Sequence, residues 1–570
     1  MPKASLPSKA CPIAQPTGRM NALDALRGVA ILAMCLSGIL PRFLPNWMYH
    51  GYTPQYAQDD AGLWQRVGNP WAFDPIPVYT WVDWVFPAFL FAMGAAIPLA
   101  MSRRIEAGRK RIGLVPGVLW RGLILIGFAI YAQQATPNFI GEKAPTNADY
   151  LWSLFGFLWL FPLLMRLPRG WPLRAVAMIR TMGLVGCVLF LAWVNDQREA
   201  AFSWAEHDII ILLLAWCGTA AALLWLLTPG VLWPLMTLGL AVAFVAHHQG
   251  MAAERRIFGD LFEPWMPYLQ APKQWLDLRE LIGSDRAIYN LSSLYDFTWF
   301  KFLWVAVPGV MVGDRLVRYL KDKPGAPSRA RLFSASILLL ISVLLGWIGF
   351  AYPRGTWFHL PEAGVIRWAW PIAAAGLVPA FAAWLVARGD KSAPGKLMAW
   401  LSLQGALVCL LGLLVEPWEG GITKGPPSTL SWYLYALGQS MLFLGAWVAA
   451  VDVSCYGRWL FGWVVLTGRN AMLAYLAIRS VLGPVFGFQV LPPEAPPDAP
   501  TEAPTEAPAD AGEAPDDAPR RSIDTAMKTG PFESAPDAVP WPGAAWAGVK
   551  TLALGLFAAV LAKLKLVWRS

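Results

Sequence analysis

Charged residues are scarce in this sequence: they make up 15% of its 570 residues, whereas soluble globular domains carry about 25%. Apolar residues reach 56%, and the mean hydropathy is +0.44. This shortage of charge excludes an ordinary soluble domain and indicates an integral membrane protein. The lysines and arginines fall in short clusters beside apolar segments, a pattern that sets membrane topology, so no nucleic-acid partner is expected.

Cysteine and histidine are also rare. The six cysteines are scattered, mostly within apolar segments, without a Cys-x-x-Cys pair. This spacing favours neither a disulfide framework nor a zinc site, and we expect no metal. Histidine can anchor a helix at the membrane surface, or it can act as a general base near neutral pH. The sequence has only five histidines, and all are predicted on or near the exterior face: His50, His207, His247, His248 and His359.

What the sequence has in abundance is long apolar segments. A helix needs about 20 apolar residues to cross the hydrocarbon core. We predict an all-α, polytopic bundle of about 12 to 14 spans. The candidates lie at roughly 22–43, 81–101, 114–132, 150–167, 176–194, 208–228, 230–247, 298–319, 332–350, 368–387, 397–415, 430–451, 460–486 and 543–566.

Short basic loops all fall on one side of such a bundle, which places the N-terminus in the cytoplasm. Residues 1–20 then form a cytoplasmic tail and 21–488 the main transmembrane domain. Residues 489–540 are rich in Pro, Ala and acidic residues, so we predict a disordered exterior linker. A last transmembrane helix occupies 541–570.

The first predicted span carries an acid and a base at its cytoplasmic end. Asp24 and Arg27 lie one helical turn apart, so they can pair or face an anionic ligand. A purely structural role is equally open, since Asp24 suits a helix N-terminus and Arg27 suits a cytoplasmic anchor.

The second predicted span begins with Thr80 and Asp83, spaced as a helix cap. His50 follows the first span, so His50 and Asp83 are expected at the same exterior mouth. A carboxylate there would orient the imidazole as a general base. His207 and Asp208 form a reserve pair at the start of another span.

The segment "PWEGGITKGPPSTLSWYLYALG" places Lys424 between two predicted spans on the exterior side, where positive charge is disfavoured. Its glycines and prolines are also typical of a plain surface turn. The sequence leaves both interpretations open.

Several motifs together resemble a known family. They are "LDALRGVAILAM", "TWVDWVFPAFLFAMGAAIPLAMSRR", "WRGLILIGF", "FKFLWVAVPGVMVGD", the Lys424 segment and "TGRNAMLAY". In this order, over most of residues 20–485, they resemble the membrane proteins related to heparan-alpha-glucosaminide N-acetyltransferase. Each motif alone is weak, whereas the combination is specific.

The resemblance implies a multi-pass acyltransferase of the bacterial inner (plasma) membrane, N- or O-specific. It would move an acyl group, such as acetyl, from cytosolic acetyl-CoA to a sugar or amino-sugar acceptor outside, and it leaves a homodimer open. The family's histidine falls on or next to His50. Its loop lysine falls on Lys424, which the resemblance implies to be an exterior-loop residue near the acceptor mouth, with His207 and Asp208 as further acceptor-side candidates. Its asparagine at the end of the first span falls on Gly38, and a segment is inserted after His50.

Phosphates of the donor require fixed positive charge, which arginine supplies in bidentate form. The donor-binding candidates are Asp24, Arg27, Arg103, Arg104, Arg121, Arg469 and Asn470. Two other hypotheses stay open: a transporter or flippase, and an inactive member of the same fold.

Overall fold

The computed structural model is a bundle of helices. It describes most of the main domain and the C-terminal helix. The residues it describes are 20–40, 48, 50, 55–58, 64–67, 79–141, 145–168, 170–198, 202–228, 232–249, 263–282, 287–322, 325–351, 373–419, 422, 424–425, 428–487, 489–491, 521–522 and 541–568.

The main helices are labelled in chain order. They are α1 (Asn21–Ile39), α2 (Trp81–Glu106), α3 (Val115–Gln134), α4 (Asn147–Leu164), α5 (Leu173–Gln197), α6 (Ile209–Leu227), α7 (Leu232–Gln249), α8 (Met266–Trp275), α9 (Leu303–Lys321), α10 (Arg329–Ala351), α11 (Leu377–Arg388), α12 (Ala393–Glu419), α13 (Leu430–Trp447), α14 (Cys455–Arg469), α15 (Ala471–Ala477) and α16 (Trp541–Lys563). Shorter α-helical turns cover Pro137–Ile140, Arg279–Ile282 and Gly483–Gly487, and π-helical turns cover Val448–Val453 and Ile478–Leu482.

Two small antiparallel pairs of strands lie outside the bundle's long helices. Strands β1 (Gln55–Gln58) and β2 (Trp64–Val67) pair within the insertion that follows His50. Strands β3 (Gln489–Leu491) and β4 (Arg521–Ser522) pair within the segment predicted as the exterior linker. The rest of that linker, most of the insertion and the predicted tail up to residue 19 lie outside the described residues.

The prediction of an all-α transmembrane protein is confirmed. Within the described ranges, nine helices are long and apolar enough to cross a membrane, and the number is ten if one bent pair counts as a single span. Each predicted apolar segment overlaps a helix. The predicted span 460–486 is bent: the chain turns by 82° between Arg469 and Ala471, and the two parts together can form one broken span.

Packing around the first two spans positions the site. Helix α2 contacts α1, α9 and α13, and α13 also packs along α12. Helix α13 is buried along nearly its whole length. In α3 and α5, only 28% and 22% of the residues in the most apolar stretch are buried. The former therefore belongs to the protein interior and the latter two face the lipid.

A glycine lets α2 and α9 approach closely, as small residues do in membrane helix pairs. A Cβ atom at Gly94 would lie 2.2 Å from the backbone oxygen of Ala306. We therefore expect Gly94→Val to reduce the stability of the bundle by about 1–3 kcal/mol, because the backbones must separate. Thermal unfolding in detergent would measure this loss.

Gly127→Ala is the matched control, since a Cβ at Gly127 meets nothing within 4 Å. It should leave the melting temperature unchanged or slightly raised, because alanine favours a helix over glycine. Equal melting temperatures for Gly94→Val and the wild type would show that the close approach is not needed.

Candidate active site

Three predicted residues meet at the N-terminal end of α2, the end predicted to face the exterior. His50 Nδ1 lies 2.8 Å from Asp83 Oδ1, and Lys424 Nζ lies 3.3 Å from His50 Nε2. The Asp83 side chain is buried, while the His50 side chain is 32% exposed. The result is a chain of carboxylate, imidazole and amine that runs from the bundle interior towards the surface.

Asp83 caps α2 and orients His50 at the same time. Its Oδ2 accepts hydrogen bonds from the Thr80 backbone N–H at 3.1 Å and from the Thr80 hydroxyl at 3.2 Å. Its Oδ1 remains for the imidazole. The capping and functional interpretations of Asp83 are therefore compatible, because each uses a different oxygen of one carboxylate.

The geometry assigns the imidazole proton. A carboxylate can only accept, so Nδ1 of His50 donates to Asp83 and Nε2 is the acceptor that faces Lys424. Lys424 lies in the loop between α12 and α13. Burial lowers the pKa of its amine below the usual value, and the charge of Asp83 partly opposes this shift. The site thus holds a base and a cation within hydrogen-bond distance of each other.

A buried polar cluster next to Asp83 was not predicted from the sequence. The Tyr79 hydroxyl donates to Gln439 Oε1 at 3.1 Å, and the rings of Tyr79 and Tyr435 meet edge to face with centroids 5.2 Å apart. Gln439 and Tyr435 lie on α13, where a glutamine in an otherwise apolar span was the available signal. This cluster extends polar side chains from the mouth into the membrane interior.

The reserve pair of His207 and Asp208 is not a pair. His207 Nδ1 bonds the Trp204 carbonyl at 2.8 Å. Asp208 instead caps α6 through the Ile211 N–H, and its Oδ2 accepts from the Tyr475 hydroxyl at 2.8 Å. The correction has a simple cause: an Asp at a helix N-cap turns back to the helix and away from its neighbour in sequence.

At the N-terminal end of α1, Asp24 lies between two arginines. Its carboxylate oxygens are 3.4 Å from Arg27 Nη1 and 3.4 Å from Arg469 Nε. Arg27 also donates to the Ala92 carbonyl of α2 at 3.3 Å, and Arg469 donates to Asn21 at 2.9 Å. Asp24 thus joins Arg27 of α1 to Arg469 of α14 at this end of the bundle.

Asp452 is a second acid near this cluster that was not predicted. Its carboxylate accepts hydrogen bonds from the backbone N–H groups of Asn21 at 3.2 Å and Ala22 at 3.3 Å. It therefore caps α1 from 430 residues away in sequence. The signal was a single acid at the end of a long apolar helix.

The other residues predicted to bind the donor lie at different places in the structure. Arg103 is exposed at the end of α2. Arg104 and Arg121 line a separate cavity whose lining includes neither Arg27 nor Arg469. Asn470 is occupied by the C-terminal segment: it donates to the Leu566 carbonyl at 3.0 Å and accepts from the Trp568 N–H at 3.1 Å. These bonds anchor the C-terminal segment, and a role of Asn470 in donor binding stays a prediction.

Gly38 lies in open space at the end of α1. It lines a cavity of about 300 Å³ together with Lys550 of α16, and a Cβ atom at Gly38 would meet nothing within 4 Å. Within the described ranges, no group of three or more His, Cys, Asp or Glu side chains could hold a metal ion.

A family model described as "Domain of unknown function (DUF5009)" matches residues 19–316, more than half of the chain. The match includes His50, Asp83 and Arg27 and ends before Lys424. No curated protein matches the sequence.

Proposed function

Since the chain belongs to the DUF5009 family, whose description leaves the activity open, we propose that it transfers an acyl group across the membrane. The donor would be cytosolic acyl-CoA, with acetyl as the first candidate, and the acceptor an exterior sugar or amino sugar. The proposal places the protein in a bacterial inner membrane. The observation that carries it is the hydrogen-bonded series of Lys424, His50 and Asp83 at the exterior mouth.

The arrangement suits general-base chemistry. The Nε2 atom of His50 takes a proton from the acceptor amine or hydroxyl while its nitrogen or oxygen attacks the thioester carbonyl carbon. The carbon–sulfur bond then breaks, and the proton passes to the departing thiolate. Asp83 stabilises the imidazolium that forms, and the Lys424 ammonium stabilises the negative oxygen of the tetrahedral intermediate.

The donor needs positive charge on the cytoplasmic side. Arg27 and Arg469 would supply it: Arg27 lies near the start of α1, whose other end leads to His50, and Arg469 lies beside it, 3.4 Å from Asp24. From Arg27 to the end of α1 the helix rises roughly 18 Å, about the length of an extended pantetheine arm. The thin arm of the donor can thus bring its thioester towards the mouth while its nucleotide remains outside the membrane.

The direct test uses the purified full chain in lipid nanodiscs. Acetyl-CoA labelled in the acetyl group is supplied with glucosamine, and the labelled product and free thiol are quantified together. Equal formation of both supports transfer. Thiol release without labelled product would indicate hydrolysis only, and neither product would overturn the proposal for this donor and acceptor.

One observation favours a transporter as the second candidate. Broken helices line the substrate sites of many transporters, and the chain bends by 82° at Asn470. Uptake of labelled glucosamine into proteoliposomes without acyl-CoA would support this alternative over acyl transfer.

Arg27→Ala is expected to weaken acetyl-CoA binding by roughly tenfold or more, because a charge-assisted contact to phosphate is lost. Calorimetric titration of the nanodisc-embedded protein measures the affinity. Arg174→Ala is the control, since Arg174 is exposed on the same side of the bundle. Unchanged affinity in a folded Arg27→Ala protein would remove Arg27 from the donor site.

A further inference from the structure

A large cavity lies apart from His50, Asp83, Lys424, Arg27 and Arg469, although two of its arginines, Arg104 and Arg121, are candidates for donor binding by sequence. Its volume is about 950 Å³, and it is bounded by α3, the end of α4 and the start of α5. Four arginines line it: Arg104, Arg121, Arg166 and Arg180. They lie at the helix ends that the basic loops place at the cytoplasmic surface.

The charges in the cavity are all of one sign. Arg121 is subject to the positive charges of Arg104 and Arg166. Among the described residues, none that lines the cavity carries a carboxylate. Arg180 has a structural task, since it donates to the carbonyls of Pro162, Leu163 and Met165 at the end of α4. Arg104, Arg121 and Arg166 therefore form a cluster of like charges that an anion would stabilise.

The remaining wall of the cavity is apolar and faces the lipid. It includes Ile124, Phe128, Leu163 and Leu184. Leu184 is 54% exposed and Trp120, which also lines the cavity, is 63% exposed. Because both lie on helices that cross the membrane, these exposed surfaces face the lipid. Tryptophan favours the boundary between headgroups and acyl chains. The cavity thus joins a cationic end at the cytoplasmic boundary to an apolar end at the hydrocarbon.

We propose that this cavity binds an anionic glycerophospholipid of the cytoplasmic leaflet. Its phosphate is held by Arg104, Arg121 and Arg166, and one acyl chain lies against the apolar wall. A coenzyme A nucleotide fits less well, because the adenine and ribose would need polar partners. Apart from its arginines and the indole N–H groups, Thr181 is the polar side chain on the cavity wall in the part of the chain that the structure describes.

Native mass spectrometry of the delipidated full chain in detergent tests the proposal. Dioleoyl phosphatidylglycerol is the probe, and dioleoyl phosphatidylcholine the control lipid. The anionic lipid should be retained and the zwitterionic lipid retained more weakly. In the variant Arg104→Gln/Arg121→Gln/Arg166→Gln, binding of phosphatidylglycerol should fall by about tenfold or more. Arg174→Gln, an exposed arginine of α5 outside the cavity lining, should not change it.

A second variant tests the cavity with every arginine intact. Gly117 lines the cavity, and a Cβ atom there meets nothing within 4 Å. Gly117→Leu fills the space without disturbing the helix, so it should reduce lipid binding by about tenfold as well. Gly127→Leu on the same helix is the matched control, because Gly127 is equally open but outside the cavity lining.

Two competitors separate the lipid from other phosphate sources. Inorganic phosphate and acetyl-CoA, each at matched ionic strength, should not displace phosphatidylglycerol. Displacement by acetyl-CoA would assign the cavity to the acyl donor, and displacement by phosphate would reduce it to a simple anion site. Either result, or equal binding by Gly117→Leu and wild type, overturns the lipid proposal. Lipid binding is the readout, so the outcome is independent of acyl transfer.

Discussion

His50→Ala is expected to reduce acyl transfer by roughly 10²- to 10⁴-fold, because it removes the group that accepts the acceptor's proton. Binding of acetyl-CoA on the cytoplasmic side should stay unchanged, since His50 lies at the opposite end of α1. Single-turnover transfer and calorimetric titration of the same nanodisc preparation separate these two effects.

Two further variants sharpen this test. Asp83→Asn should lose less activity than His50→Ala, because the amide oxygen can still accept from the imidazole N–H. His207→Ala should retain activity, since His207 bonds a backbone carbonyl and not Asp208. Full activity in His50→Ala with loss in His207→Ala would show that the site is placed at the wrong histidine.

Lys424→Met is expected to lower the rate of transfer by about 10²- to 10³-fold, as does the loss of one oxyanion donor in other enzymes. Methionine keeps an unbranched apolar side chain in the half-buried position, so the turn should persist. The acetyl-CoA affinity should not change. Unaltered transfer would leave Lys424 as a residue of a surface turn.

The pH dependence of transfer by the wild type and by Lys424→Arg is an independent test of the role of Lys424. Burial lowers the pKa of Lys424, so its ammonium is lost at a lower pH than that of an ordinary lysine. The wild type should therefore lose activity on the alkaline side as pH rises through that lowered pKa. Lys424→Arg keeps its charge at all these pH values, so its residual activity should persist to higher pH. An identical alkaline limb in both proteins would contradict the oxyanion role.

The membrane class, the position of the apolar helices and the cap of α2 could be predicted from the sequence. These features are local: span length follows from the number of consecutive apolar residues, and the Thr80 and Asp83 cap from a spacing of three. The meeting of His50 and Asp83 is nearly local as well, since 33 residues separate them and both lie near the ends of consecutive spans.

Contacts between distant helices required the tertiary structure. Lys424 reaches His50 across 374 residues, and nothing in an apolar segment of uniform hydropathy specifies which face of α13 packs against α2. The same limit explains why Tyr79 and Gln439 were missed, and why Arg104 and Arg121 separate from Arg27. In a bilayer both faces of a span are apolar, so the hydrophobic pattern that orients a soluble helix is absent. Helix rotation and pairing are then decided by close packing, small residues and buried hydrogen bonds between segments far apart in the chain.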